Sequence, residues 1–246
     1  MVNEGEEWFR NWFDSPYYHL LYQYRDEQEA RLFLDHILNY LQLPAGADIL
    51  DIPCGKGRHA LYLQSLGFNV SGMDLSPANI SLAQSVAGNK AAFSVHDMRQ
   101  QFGSNIYDCI FNLFTSLGYF KWEHENLQVI QNLATALKPG GNLIIDFFNP
   151  KKISSSLYPE SIIEAEGIQF HIKRSLVKNR VVKQIQFEHQ QRKYHFEEHV
   201  MLISRERFSV WFKMAGLKTE AVFGSYKLDE YNEATSERLI FLLKKA

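Results

Sequence analysis

The chain has 246 residues, a net charge of −2 and two cysteines, Cys54 and Cys109. A chain of this length can bury a full core without disulfides, as one large domain or a domain with an insertion. Its charge gives no basic field for a polyanion, so nucleic acid is a disfavoured partner. The acidic start lacks the positive region of a secretory signal, and no apolar run approaches the roughly 18 residues of a membrane span. We therefore expect a cytoplasmic protein with reduced thiols and no membrane partner.

The first predicted element is a helical region within residues 1–45. Aromatic residues come first, and apolar residues then recur every three or four positions up to residue 41. These apolar residues are Ala30, Phe33, Leu34, Ile37, Leu38 and Leu41. The segment PAGA at 44–47 ends the helical pattern.

Residues 46–150 alternate short apolar runs with helical stretches, which is typical of a parallel α/β sheet. The predicted strands are 48–52, 69–73, 91–95, 107–112 and 142–147. The predicted helices are 56–66, 77–85 and 123–137. The segment KPGG at 138–141 is predicted to end the last helix and to form a turn before the fifth strand.

The pattern changes after residue 150 to an alternation with period two, which predicts an antiparallel insertion over 160–203 within the region 151–203. Lys178 and Asn179 are predicted to form a hairpin tip. In the region 204–246, Ser204 is predicted to cap a helix that Gly216 ends. Two strands, near 219–223 and 238–243, are expected to complete the main sheet.

A strand, a glycine loop and a helix follow one another in the segment ILDIPCGKGRHA at 49–60. The spacing of Gly55 and Gly57 also fits a dinucleotide site, so the glycines alone leave NAD open. Asp51 separates the alternatives, because a carboxylate there would repel a pyrophosphate but attract the amino group of S-adenosylmethionine. The N–H groups of the loop would hold the carboxylate of that cofactor. The alternative for Asp51 is a cap of the loop or of the helix.

Two further carboxylates follow the next two predicted strands. Asp74 lies 17 residues after Gly57, near the place of a ribose-binding carboxylate in Rossmann-type folds. It suits NAD equally well, and it could instead cap the helix that begins near Ser76. Asp97 can accept a hydrogen bond from an adenine amino group and Met98 can donate its backbone N–H, although an exposed turn would explain these residues as well.

The order of these motifs resembles the class I S-adenosylmethionine-dependent methyltransferases. The segments are DIPCGKGRH, GMDLS, HDMR, YDCIFNLFTSLGYF and LKPGGNLIIDFFNP, within residues 48–150. The resemblance implies an α/β fold with a Rossmann-like seven-stranded sheet whose last strand is antiparallel, and S-adenosylmethionine as the cofactor. It implies that Asp51, Gly55 and Gly57 hold the methionine moiety, Asp74 the ribose and Asp97 the adenine. Within the same motifs, the expected cofactor site is completed by Cys54, Leu75, Met98 and Asn112.

The loop 113–120 follows the predicted fourth strand and is expected to face the reacting methyl group, since ligands of open α/β sheets bind beyond the carboxyl ends of the strands. It is similar to the corresponding segment of small-molecule N-methyltransferases, including sugar N,N-dimethyltransferases. Those enzymes commonly have histidine where this chain has Tyr119. A tyrosine is a poor base at neutral pH, but its hydroxyl can orient a nucleophile. We expect Tyr119 to have a catalytic role, with plain packing as the alternative.

The segment YYHLLYQYR at 17–25 resembles the N-terminal helical lid of the same enzymes, in which tyrosines and an arginine close over the cofactor. Tyr18 and Tyr22 would share a helix face, and Arg25 could form two parallel bonds to the cofactor carboxylate. The alternative is an amphipathic helix that packs its aromatic residues.

Together these features predict a methyltransferase that acts on a nitrogen, or an oxygen, of a small-molecule acceptor. Nitrogen is favoured because a hydroxyl would need a base, and no strong base is evident. Three alternatives stay open: an NAD-dependent oxidoreductase, an RNA or protein methyltransferase that docks through the basic residues of the insertion, and a non-catalytic cofactor-binding module. The insertion is expected to cap the substrate pocket, to join two copies in a homodimer, or both. A metal site at its histidines is disfavoured for lack of further ligands at the right spacing.

Overall fold

A computed structural model describes residues 7–23, 27–88, 91–155 and 157–246, with the backbone alone for 27–29. Three helices precede the first strand, and the predicted N-terminal helical region consists of them: α1 (Trp8–Phe13), α2 (Pro16–Leu21) and α3 (Glu27–Leu41). Helix α2 begins at Pro16 because the Ser15 side chain accepts a hydrogen bond from the N–H of Tyr17. We refer to α1 and α2 as the lid helices.

The main sheet has seven strands. They are β1 (Asp48–Asp51), β2 (Asn69–Asp74), β3 (Ala92–Val95), β4 (Tyr107–Asn112), β5 (Leu137–Phe148), β10 (Leu217–Phe223) and β11 (Arg238–Lys245). Their order is β10-β11-β5-β4-β1-β2-β3, and β11 runs antiparallel to both of its neighbours. Helices α4 (Arg58–Ser65), α5 (Pro77–Ala87) and α6 (Glu123–Ala136) connect the parallel strands. The predicted sheet with an antiparallel last strand is confirmed.

Strand β5 begins at Leu137, directly after α6, whereas the sequence predicted a turn at 138–141 and a strand from 142. Tyr107 of β4 pairs with Leu137, and Cys109 pairs with Asn142, so the extra residues of β5 form a bulge. Gly140 has a φ of 75° within it. The predicted turn was wrong because the chain pairs with β4 on both sides of this glycine, so the irregularity lies inside the strand.

The second sheet is antiparallel, with strands β6 (Glu160–Ala165), β7 (Ile168–Val177), β8 (Arg180–His189) and β9 (Arg192–Met201) in that order. The short helix α7 (Pro150–Ser155) leads into it. The predicted hairpin tip is confirmed, since Lys178 and Asn179 join β7 to β8. Phe170, Ile185 and Phe187 form one core with Trp12 and Leu21 of the lid helices. We call this sheet the cap sheet, and the lid helices pack on its apolar face.

The chain returns to the main sheet through helix α8 (Arg205–Met214), whose predicted cap is confirmed because Ser204 accepts a hydrogen bond from the N–H of Arg207. Strand β11 then lies between β5 and β10, with Arg238 paired to Phe148. The start of β11 thus meets the carboxyl end of β5. Within the described residues, no helix has the length and apolar character needed to cross a membrane.

Candidate active site

A cavity of about 450 Å³ lies at the carboxyl ends of β1 and β2, between the glycine loop, the lid helices and the loop after β4. It is at the edge of the sheet where ligands of open α/β folds bind. Of the residues predicted from the sequence, those that line it are Tyr18, Tyr22, Cys54, Gly55, Asp74, Leu75, Asp97, Met98 and Tyr119. Asp51, Gly57 and Asn112 are not among the lining residues, and Arg25 lies outside the described residues.

Asp51 is fully buried at the end of β1, and neither oxygen of its carboxylate has a hydrogen-bond partner among the described residues. Burial raises the pKa of this carboxyl to about 8, although the positive charge of Arg58 favours the ionised form. Because an unpartnered buried carboxyl is costly, the chemistry of this position suits a ligand that brings N–H donors, such as an amino group.

His59 lies over Asp51, with Nδ1 3.9 Å from Oδ2 of the carboxylate. Burial lowers the pKa of His59 to about 3, so its ring is neutral. Phe114, from the loop after β4, stacks on this ring at 5.1 Å, and the Arg58 guanidinium lies 4.6 Å from the ring centre of Phe114. His59 and Arg58 were not among the residues predicted for the site, although their place in the first turn after the glycine loop was a signal for a role there.

The glycine loop has its own hydrogen bonds. The N–H of Gly55 donates to Oδ2 of Asp74 at 2.8 Å, and the N–H of Gly57 donates to the Cys54 carbonyl at 3.0 Å. Those two N–H groups are therefore engaged inside the protein. The side chains of Lys56 and Arg58 are cationic groups that line the cavity beside the loop, and they can meet a carboxylate of a ligand.

Asp74 ends β2 and joins two neighbouring segments. Its Oδ1 accepts from the N–H of Ser76 at 2.9 Å, while Oδ2 accepts from Gly55. Ser76, not Asp74, caps α5, because its side chain accepts from the N–H of Asn79. Burial raises the pKa of Asp74, against the hydrogen bonds that it accepts. Its carboxylate lines the cavity beside Asn79, in a position that a ligand hydroxyl could reach.

Asp97 follows β3 and is surrounded by arginines. Burial raises its pKa, but the hydrogen bonds from Arg99 outweigh that effect and the net shift is downward. Arg99 donates to both carboxylate oxygens, and Arg10 of α1 reaches Oδ2 at 3.3 Å. Arg99 also pairs with Glu7 and, at 2.8 Å, with Glu125. This network joins the start of the lid to the end of the cavity where adenine is expected. No local sequence pattern predicted it.

The lid helices are also bound to the cap sheet through polar groups. Oε1 of Glu198 accepts from the Trp12 indole at 2.7 Å and from the Tyr22 hydroxyl at 2.6 Å. Lys183 donates to the Tyr22 hydroxyl and lies 3.6 Å from Glu198. The rings of Tyr18 and Tyr22 are 4.9 Å apart, as expected for residues on one helix face. Tyr22 therefore lines the cavity while its hydroxyl is directed to the cap sheet.

Tyr119 lies among aromatic rings, 5.2 Å from Trp8 and 5.4 Å from Phe13. The preceding residue, Gly118, has a φ of 89°, and the carbonyl of Gly118 accepts from the N–H of Met201 at 2.8 Å. A Cβ added at Gly118 would lie 3.1 Å from the carbonyl oxygen of Met201. The loop after β4 is thus attached to the end of the cap sheet.

Histidines are the remaining candidate bases of the cavity. His19 lines it, and burial lowers the pKa of His19 to about 4, with a smaller contribution from the positive charge of Lys56. In the part of the chain that the structure describes, no group of three or more His, Cys, Asp or Glu side chains has an arrangement that could hold a metal ion.

The strand order and the glycine loop define a class of α/β proteins that bind a nucleoside-containing cofactor beyond the ends of the strands. Comparison with known families narrows this class, because the sequence model of the methyltransferase domain family matches residues 22–222. The chain belongs to this family. The enzyme class predicted from the motifs, a methyltransferase, is confirmed.

Named relatives agree with this membership. The chain is 32% identical over 122 residues to YqeM of Bacillus subtilis, which is named as a methyltransferase. The match spans about half of each protein, 48% of this chain and 49% of YqeM. It is 27% identical to a ubiquinone biosynthesis O-methyltransferase of Xanthomonas axonopodis, over 77% of this chain and 73% of that protein. It is 25% identical to the dTDP-3-amino-3,6-dideoxy-alpha-D-glucopyranose N,N-dimethyltransferase of Streptomyces fradiae, over 74% of each chain.

A solved structure shows the same fold. An S-adenosylmethionine-dependent methyltransferase from Clostridium acetobutylicum matches with a TM-score of 0.79 and 19% identity, over 94% of this chain and 96% of that chain.

Proposed function

We propose that the protein transfers a methyl group from S-adenosylmethionine to the nitrogen of a small-molecule amine. The observation that carries the choice of cofactor is the buried Asp51 carboxylate, whose two oxygens have no hydrogen-bond partner in the described part of the chain. S-adenosylmethionine has an amino group that would supply the missing donors. A pyrophosphate carries only acceptor oxygens, so it could not supply hydrogen-bond donors to the two oxygens of Asp51.

The other lining residues would hold the remaining parts of the cofactor. Lys56 and Arg58 would meet its carboxylate, Asp74 the ribose hydroxyls, and Asp97 with Met98 the adenine end. The site would be closed around the cofactor by Tyr18, Tyr22, Cys54 and Leu75. Asn112 would support the site from outside the cavity, since its amide donates to the Ile52 carbonyl at 2.7 Å. Bound in this way, the cofactor would supply a methyl group already activated by a positively charged sulfur.

Three histidines line the cavity, His19, His59 and His96, and two of them favour nitrogen over oxygen as the acceptor. An efficient general base has a pKa close to the working pH, and the pKa values of His19 and His59 are lowered to about 4 and about 3. These rings accept protons poorly at neutral pH. A neutral amine needs no base before it attacks: the new C–N bond forms as the C–S bond breaks, sulfur keeps the electron pair, and the product amine later loses a proton to water.

The aromatic rings beside the loop after β4 also favour an amine. The ring centres of Trp8 and Phe13 lie 5.2 and 5.4 Å from that of Tyr119. The ring of Tyr18 lies 4.8 Å from that of Phe13. Positive charge moves from sulfur to nitrogen during the transfer, and aromatic faces stabilise a cation next to them. The N,N-dimethyltransferase relative agrees with this acceptor class, whereas the O-methyltransferase relative makes oxygen the rival.

A paired screen tests the acceptor. Amines and amino sugars are incubated with methyl-labelled S-adenosylmethionine beside analogues in which a hydroxyl replaces each amino group. We expect label on nitrogen and S-adenosylhomocysteine as the second product. Label on the hydroxyl analogues with the amines inert would overturn the choice of nitrogen. Binding of NAD without binding of S-adenosylmethionine or S-adenosylhomocysteine in calorimetry would overturn the choice of cofactor.

We also propose that the protein acts in the cytoplasm and that the cap sheet joins two copies in a homodimer. Both cysteines are buried free thiols, which is the state that a reducing compartment maintains. Light scattering of the purified protein checks the dimer, and fractionation of the source cells checks the compartment.

A further inference from the structure

Asp146 lies near the carboxyl end of β5, and its side chain has no exposure to solvent. Its carboxylate accepts from three different segments: Oδ1 from the Arg238 guanidinium at 2.8 Å, Oδ2 from the Tyr226 hydroxyl at 3.1 Å and from the N–H of Phe114 at 2.8 Å. The Asp146 carbonyl accepts from the N–H of Thr115 at 2.9 Å. One residue of β5 thus holds two successive N–H groups of the loop after β4.

The backbone of the loop at this point has a conformation that needs such support. Phe114 and Thr115 have φ values of 58° and 60°, in the left-handed region that residues with a Cβ rarely adopt. Asp146 satisfies the N–H groups of both residues, that of Phe114 with its carboxylate and that of Thr115 with its backbone carbonyl. Arg238 adds a further bond, since its Nη2 donates to the Thr115 hydroxyl at 3.0 Å.

This conformation determines where the ring of Phe114 lies. The ring stacks on His59 with an angle of 15° between the planes, and His59 in turn covers the Asp51 carboxylate. Tyr226, whose hydroxyl binds Asp146, also packs against the Phe114 ring, with the ring centres 5.6 Å apart. A continuous set of contacts therefore leads from Asp146 through Phe114 to His59 and the group that would receive the cofactor amino group.

The geometry points to Asp146 as a positioning residue for cofactor binding: it holds Phe114 in the left-handed conformation and so fixes His59 over Asp51. This inference rests on the proposed cofactor. Asp146 does not line the cavity, so its effect on affinity passes through the Phe114 ring.

A double-mutant cycle tests this assignment. S-adenosylhomocysteine binding is measured by calorimetry for Asp146→Asn, Phe114→Leu and the combined variant, with Asp108→Asn as the control because Asp108 binds Lys138 and the Asp48 backbone, away from the cavity. Asp146→Asn and Phe114→Leu should each weaken binding about tenfold, and the combined variant should be no weaker than Phe114→Leu alone. Binding about a hundredfold weaker in the combined variant, which is the product of the two single effects, would overturn the proposal. Wild-type affinity in Phe114→Leu would overturn it as well.

A measurement without cofactor separates this proposal from the proposed function. The His59 ring proton signals, identified by their loss in His59→Gln, should show a ring-current shift from Phe114 that disappears in Phe114→Leu and shrinks in Asp146→Asn but not in Asp108→Asn. An unchanged His59 signal in folded Asp146→Asn refutes the positioning role even if the cofactor binds. If Asp146→Asn does not fold because the Arg238 charge is left uncompensated, the combined variant Asp146→Asn/Arg238→Gln, which removes both charges, should give the same reduced shift, and an unchanged shift there also refutes the role.

Discussion

At the scale of single residues, Asp51 has the electrostatic environment with the clearest consequence for binding. Burial raises its pKa to about 8, above the value near 4 of an unfolded chain. Its contribution to stability is therefore fully present below about pH 4 and is lost as the pH rises towards 8. At pH 7 the folded protein holds this carboxyl mostly in its neutral form.

Cofactor binding should release this proton. A bound amino group, which is protonated at pH 7, favours the carboxylate form of Asp51 and lowers its pKa below 7. We expect proton release on cofactor binding at pH 7, and an affinity that rises by up to tenfold per pH unit as the pH approaches 8. Calorimetry in phosphate and in Tris, which differ in ionisation enthalpy, measures the number of protons.

Asp51→Asn is the control for this effect, because its amide has almost the same shape and cannot ionise. The variant should bind the cofactor more weakly and should release no proton. Equal proton release by the variant and the wild type would assign the proton to another group.

Gly57 is a residue at which both conformation and space require glycine. Its φ is 82°, and an added Cβ would lie 2.8 Å from the Phe93 ring. Gly67 has a similar φ of 91° but open space around it. Gly67→Ala should therefore cost about 1–2 kcal/mol of unfolding free energy for the left-handed conformation alone. Gly57→Ala should cost about 1–3 kcal/mol more because of the overlap with Phe93. Urea denaturation measures the unfolding free energy of both variants. Equal losses of unfolding free energy would show that the Phe93 ring moves away from the added Cβ at no energetic cost.

At the scale of elements, the contact between the lid helices and the cap sheet depends on Glu198. Glu198→Ala would leave the Trp12 indole, the Tyr22 hydroxyl and Lys183 without this acceptor, and an unsatisfied part-buried group costs about 1–3 kcal/mol. We expect faster amide hydrogen exchange in residues 8–21 and weaker cofactor binding. Glu188→Ala, at an exposed position of the same sheet, is the matched control. Unchanged exchange in the lid helices of Glu198→Ala would show that apolar packing alone holds them.

Periodicity in the sequence predicted most helices and strands, since each amphipathic pattern is local. It placed the start of β5 five residues late, because KPGG at 138–141 has the composition of a turn while the chain pairs as a bulge. The contacts of Glu198 with Trp12 and Tyr22 join residues 186 and 176 positions apart. No local pattern contains such a pairing, so the link between lid and cap was not predictable from the sequence.

The same distinction applies to the candidate site. Asp51 and Asp74 were found because each follows a strand in a recognisable order of motifs. Asp146 lies within the apolar run LIIDFF, where a single carboxyl gives no hint of its partners. Its role depends on Arg238, 92 positions later, and on a left-handed loop whose residues are not glycine.

At the scale of the whole molecule, cofactor binding should raise thermal stability. A ligand at a hundred times its Kd that binds the folded state alone adds about 2.7 kcal/mol. For a chain of this size that corresponds to a rise in Tm of roughly 5–10 °C. Differential scanning calorimetry with S-adenosylmethionine or S-adenosylhomocysteine should show this rise, and NAD at the same concentration should leave the Tm unchanged. A rise with NAD alone would contradict the proposed cofactor.

The position of β11 in the main sheet has a consequence for protein synthesis. The strand inserts between β5 and β10, and its first residue, Arg238, neutralises the buried Asp146. Domains begin to fold from the N-terminal side while the ribosome is still adding residues. A nascent chain that has exposed the five motif segments of residues 48–150 but not yet β11 has an unpaired edge on β5 and an uncompensated carboxylate beneath the loop after β4. Competence to bind the cofactor should therefore appear abruptly, when β11 leaves the ribosome, and not gradually as the motifs emerge.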